Sequence, residues 1–216
     1  MKIYGDLQSG NCYKVNLVCA LLDIEHDWIE VDILAGETKK PEFLEKNPNG
    51  KIPLLELSDG RYLSESNAII NFLAAGSELL PQNDFDLAKV QQWLIGAPTC
   101  GSSLCVDAGS HLFFEQYSHE PYIAVARFIA KYLGLPEERK VEYESKQAGG
   151  YKALNIMEQQ LKKSKYLTGN NLTTADISLY GYTHVAEEGG FDLTKYPAIQ
   201  SWIDRITSEP KYVGMN

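Results

Sequence analysis

The chain has 216 residues, 44% hydrophobic and 23% charged, enough to bury a large core in one domain or two modest ones. Its formal net charge of −9 argues against nonspecific binding to nucleic acid or an anionic membrane surface, since both need a basic face. No apolar run is long enough to span a membrane, and "MKIYGDLQSG" lacks the apolar stretch of a signal peptide, so the cytoplasm is expected, where structural disulfides are rare.

In chain order, "KIYG" is a short apolar strand. From Asn11 onward, Val15, Val18, Cys19 and Leu22 repeat at the spacing of one helical face, and "DWIEVD" alternates as a second strand. A β-α-β order implies a right-handed crossover and a parallel strand pair. "AGETKKPEFLEKNPNG" is a loop with room for one helical turn. "KIPLLEL", a turn at "SDG" and "RYLSES" then make a β-hairpin. Ile69, Phe72 and Leu73 mark a helix ending near Gly76. These elements predict a small α/β domain over 1–77. "GSELLPQNDFD" carries no periodicity, which predicts a linker at 78–86. From 87 to 216 the patterning is helical almost throughout, and an all-α domain is expected.

Residues 95–112, "IGAPTCGSSLCVDAGSHL", interrupt that pattern. Removing them would join Trp93-Leu94 to Phe113-Phe114 in one helical run, so they read as an insert. Cys100, Cys105 and His111 lack a fourth ligand at a recognised spacing, and no metal site is assigned. In "LTTADISLYGY", Thr173 stands three positions before Asp176, the spacing of a structural N-cap and its reciprocating carboxylate. Pro53 cannot donate to a strand ladder and marks an edge or a ligand-facing bend. A cis Ile52–Pro53 bond there would leave the Ile52 amide free to pair with an extended peptide.

"DLQSGNCYKV" places Ser9, Asn11 and Cys12 within four positions at the start of the first helix. Cys12 has a claim to redox chemistry, because low thiol pKa values arise in the first turn of a helix. There is no Cys-x-x-Cys, however, and Cys19 lies two turns away, so no local disulfide forms; Cys12 is read as a small packing residue.

The α/β half with "NPNGKIPLLEL" and "LSESNAIINFL", followed by a helical half with "LTTADISLY", resembles the cytosolic glutathione S-transferase family over nearly the whole chain. "SGNCYKV" is similar to bacterial and fungal members with Ser or Thr, then Asn, at the first helix's N-terminus. The resemblance implies a thioredoxin-like domain followed by an all-helical one, glutathione as co-substrate without a further cofactor, and a homodimer. Glutathione would then pair with Ile52 ahead of Pro53, its γ-glutamyl end would meet Glu65 and Ser66, and its glycine carboxylate would meet Lys51 and Lys39. Ser9, aided by Asn11, would hold the thiolate. A hydrogen bond to a charged acceptor contributes roughly 1.5–3 kcal/mol, and the helix N-terminus about 0.3–1, together enough to ionise a thiol near neutrality. A small electrophile would occupy a pocket near Phe113, Tyr117, His119 and Arg127, with Arg127 otherwise an exposed structural residue. In the family the interrupted helix lines that pocket and the dimer contact, so the insert bears on both. Two other readings share the frame: a glutathione-dependent disulfide reductase or peroxidase, and a non-enzymatic binding or assembly module.

Overall fold

The computed structural model describes residues 1–94 and 114–215. Four short strands, β1 (Lys2–Gly5), β2 (Asp27–Glu30), β3 (Leu54–Glu56) and β4 (Tyr62–Ser64), form one sheet in the order β2-β1-β3-β4. β1 and β2 are parallel, with Ile3 opposite Trp28, because the helix α1 (Gly10–Leu21) carries the chain across between them. β3 pairs antiparallel with β1 and with β4, the hairpin expected at "SDG". The one-turn helix α2 (Pro41–Leu44) seats Phe43 on Val31 and Leu54 in a small separate core. Helix α3 (Ser66–Leu73) follows β4 and closes the α/β half. Its buried side carries Asn67, Ile69 and Ile70. Phe72, expected on the apolar face, is instead 49% exposed.

The rest is helical: α4 (Asp84–Leu94), α5 (Glu120–Arg127), α6 (Lys140–Leu161), α7 (Thr174–Thr183) and α8 (Pro197–Thr207). α4 begins inside the segment read as a linker, so its residues 84–86 are helical. Wider π-helical turns, Phe114–His119 and Phe128–Tyr132, flank α5. The fold is thus the small α/β half followed by an all-helical half that the patterning predicts, and the α/β half is thioredoxin-like, as the resemblance implies. Residues 95–113, which include the insert, Phe113, Cys100, Cys105 and His111, lie outside the described residues. Among the described residues no helix is long and apolar enough to cross a membrane.

One apolar core runs through both halves, from Ile3, Val15 and Ile69 to Ile123, Leu154 and Trp202. α1 is therefore buried almost all round, packed against α3 and α7, rather than on the single face its spacing suggests. Asp176 stabilises the start of α7. One carboxylate oxygen accepts from the Thr173 amide and hydroxyl, both at 3.0 Å; the other accepts from the Leu167 amide at 2.8 Å and the Trp202 indole at 2.9 Å. A carboxylate buried this deeply is tolerated because its oxygens are satisfied.

Candidate active site

The loop from β1 to α1 is held from both halves. The Ser9 amide donates to the Asp6 carbonyl at 2.9 Å and the Gln8 amide to the Asp6 carboxylate at 2.8 Å. From the helical half, the Tyr132 hydroxyl reaches Asp6 Oδ2 at 3.1 Å, and Arg127 Nη1 donates to the Gln8 carbonyl at 2.7 Å. Ser9 is the extended N-cap of α1, and its side chain makes no capping hydrogen bond. The hydroxyl is therefore not spent on capping the helix and stands at the positive end of its three turns, against the Cys12 thiol and the Tyr182 phenol.

Ser9 opens on a cavity of about 520 Å³ between the halves, walled by Ile33, Ile52, Ala124, Val125, Phe128 and Tyr132. A smaller polar cavity of about 100 Å³ adjoins it, lined by Asn11, Pro53, Glu65, Ser66 and Glu115, and the two share Lys51, Ile52 and Glu120. The Ile52–Pro53 peptide bond is cis. Glu65 takes the left-handed value φ +69° at the junction of β4 and α3, a conformation rare for a residue other than glycine. Asn47 shapes the preceding loop by donating to the Lys51 carbonyl at 2.8 Å, and Lys39 donates to the Gly50 carbonyl at 3.0 Å.

Hydrogen bonds connect these parts. The Ser66 hydroxyl donates to Asn11 Oδ1 at 3.2 Å, and Asn11 Nδ2 donates to Glu120 Oε1 at 3.0 Å. Beneath them lies a buried ion pair, Lys14 with Glu115 at 3.0 Å, completed by Asn67 and Ser178, whose oxygens accept from the ammonium at 2.8 and 3.1 Å. Asn67 Nδ2 returns to Glu115 Oε2 at 3.0 Å. Burial, and then the charge of Glu115, hold the Glu120 carboxyl above the usual range. Burial pushes the Cys12 thiol up to about 12, against the pull of the Asp6 backbone and Ser9, so this sulfur is neither accessible nor ionised at neutral pH.

The pattern of the glutathione S-transferase N-terminal domain matches residues 8–75, and that of the C-terminal domain matches residues 107–210. Glutathione S-transferase F10 of Arabidopsis thaliana is 31% identical, over 86% of this chain and 82% of its own. The chain belongs to the glutathione S-transferase family. The crystal structure of a glutathione S-transferase from Pseudomonas fluorescens [Pf-5] superposes with a TM-score of 0.89 at 54% identity, covering 99% of this chain and 98% of that one. The disulfide-bond oxidoreductase YfcG of Escherichia coli (strain K12) is 27% identical over 93% of this chain and 87% of its own.

Within this glutathione S-transferase fold, Ser9, Lys51 and Ile52 border the large cavity, and Asn11, Lys51, Ile52, Pro53, Glu65 and Ser66 the polar one. Lys39 lines neither and is committed to Gly50. Of the expected second-substrate group, the described residues Tyr117, His119 and Arg127 are not brought together. His119 is fully buried in the core, its Nε2 on the Thr183 hydroxyl at 2.8 Å, and Tyr117 is half exposed away from both cavities. Arg127 does reach the large cavity, but it is fully buried rather than exposed and ion-paired to Glu188 at 2.6 Å. Glu120, Phe128, Tyr132 and Tyr182 are among the lining residues the sequence reasoning missed. Only Glu120 left a signal, as the acidic residue before a proline at a helix start.

Proposed function

We propose that this protein is a glutathione transferase of the bacterial and fungal type with Ser-x-Asn at the first helix. On this reading residues 1–77 bind glutathione, 78–83 connect, and the helical half from α4 onward supplies the pocket for a small electrophile. Ile52, ahead of Pro53, pairs with the cysteinyl backbone. Ser66 and the N-terminus of α3 receive the γ-glutamyl carboxylate, Glu65 its ammonium, and Lys51 the glycine carboxylate, while Lys39 holds the Gly50 carbonyl in the loop beside it. Ser9 donates to the thiolate and Asn11 assists. The proposed setting is a cytoplasmic homodimer.

The observation that carries this reading is the uncapped Ser9 hydroxyl at the N-terminus of α1, opening on a cavity that continues into a polar site sized for one end of a peptide. The ionised thiol attacks the electrophilic carbon, and the S–C bond forms as a halogenated electrophile expels halide, or as the π electron pair of an unsaturated one moves to the neighbouring atom and takes up a proton from water. Ser9 lowers the barrier by stabilising the thiolate that must be present before attack. Replacing it (Ser9→Ala) is expected to lower kcat/KM for a small unsaturated or halogenated electrophile roughly 10- to 200-fold at pH 7. The deficit should shrink as pH approaches the free thiol's pKa. An unchanged rate at pH 7 would remove Ser9 from the mechanism.

Disulfide reduction at the same site is the second reading, favoured by the likeness to the Escherichia coli oxidoreductase. Glutathione itself would serve as the nucleophile, since Cys12 is buried and held protonated. Cys12→Ala should then leave both conjugation and disulfide reduction near wild-type rates. Comparing the two reactions over a small panel of electrophiles and disulfides decides which dominates.

A further inference from the structure

We infer that Tyr182 is a second hydroxyl donor to the glutathione thiolate, supplied by α7 of the helical half and standing beside Ser9. The inference rests on the transferase reading and extends it to a residue outside the glutathione-binding half.

Tyr182 is only 8% exposed, yet it lines the large cavity together with Ser9, Ile52 and Glu120. Its position follows from a close approach of two helices. A Cβ on Gly10 would sit 2.5 Å from the Gly181 carbonyl oxygen and 2.7 Å from two carbons of the Tyr182 ring. Conversely, a Cβ on Gly181 would meet the Gly10 carbonyl at 2.8 Å. Two residues without side chains let α7 press onto the first turn of α1, next to Ser9 in sequence on one side and next to Tyr182 on the other.

The contact sets the phenol against Ser9 and the Asn11 backbone, both of which favour its ionised form. Burial, assisted by the charge of Glu120, outweighs them and raises the phenol pKa well above its usual value. A phenol kept protonated faces the same space as the Ser9 hydroxyl. Toward an anion in that space it acts as a donor, and its hydrogen bond strengthens when the sulfur carries charge. Tyr182 therefore discriminates thiolate from thiol rather than contributing equally to both. Its ring also fixes the hydroxyl rigidly, so no loop or long side chain has to be ordered when glutathione arrives.

The test is Tyr182→Phe, which keeps the ring on Gly10 and removes only the hydroxyl. The thiolate absorbance of bound glutathione is titrated, kcat/KM is followed against pH, and S-methylglutathione, which has no ionisable sulfur, reports binding and folding. Losing one hydrogen bond to the anion should move the inflection up by about one pH unit and lower kcat/KM about tenfold at pH 7. S-methylglutathione should bind within about twofold of wild type. An unmoved inflection in Tyr182→Phe, with Ser9→Ala still shifted, overturns this inference and leaves the transferase reading intact. So does a loss of S-methylglutathione binding without a shift, which would make Tyr182 purely structural. If glutathione fails to bind the wild-type protein, or Ser9→Ala leaves its profile unchanged, the transferase reading fails and takes this inference with it.

Discussion

Glu65 shows how much a single position can be asked to do. Its backbone is held at φ +69°, where a side chain with a Cβ is strained by roughly 1–3 kcal/mol. Such strain persists only where the surroundings fix it, here between β4 and the first turn of α3. The exposed carboxylate is thereby presented at the polar cavity beside Ser66. If it pairs with the ammonium of the γ-glutamyl group, Glu65→Gln removes a charge-assisted contact at little cost to the fold. The expected loss in glutathione affinity is about tenfold to a hundredfold, read by calorimetric titration. An unchanged dissociation constant would move the γ-glutamyl group elsewhere.

Between elements, the buried cluster of Lys14, Glu115, Asn67 and Ser178 ties α1 and α3 to the π-helical turn before α5 and to α7. With Lys14 and Glu115 both almost fully buried, removing one partner strands the other charge. Lys14→Met is expected to cost about 3–5 kcal/mol in urea unfolding. Adding Glu115→Leu should recover most of it, because Ser178 still donates to Asn67 at 2.7 Å and Asn67 to the Leu94 carbonyl at 3.2 Å. A double variant no more stable than the single one would show that the pair itself, not the stranded charge, holds the halves together. Element contacts of this kind also mark the limit of what was legible in the sequence. The strands, the parallel pair and the cap at Thr173 and Asp176 follow from local period and spacing. Which face of a helix meets which neighbour does not follow. Near His119 and Tyr117 a π-helical turn shifts the phase of the helix, so a face extrapolated at 3.6 residues per turn points elsewhere. Tyr182 and Arg127 join Ser9 only after two distant segments pack, and no local pattern announces that meeting.

For the whole molecule, two buried histidines make stability depend on pH. Burial lowers the pKa of His119 to about 3 and that of His184 to about 4, with Lys14 adding to the first. In the unfolded chain both titrate near 6.5. As pH falls through 6.5, the unfolded chain takes up protons that the native state refuses, so stability is fully present above that value and is lost below it. At pH 5.5 each histidine should cost about 1.4 kcal/mol relative to pH 7.5. Asp176 and Glu120, whose carboxyls burial raises, work in the opposite sense at the acidic end, where the native state protonates first. Urea unfolding at the two pH values should therefore differ by about 3 kcal/mol. The combined variant His119→Asn with His184→Asn should flatten the profile, and a wild-type profile already flat would contradict the burial of both rings.

While the chain is still folding, the apolar faces of α1 and α7 are open to any hydrophobic surface that comes near. Lys14 on α1 and Glu115 on the π-helical turn before α5 remain two separate hydrated charges until the correct halves meet. A mismatched surface, from another protein or from a second copy docked out of register, would have to bury one charge with no counter-ion, at a cost of several kcal/mol. The pair thus proofreads assembly: it penalises the wrong embrace more strongly than it rewards the right one.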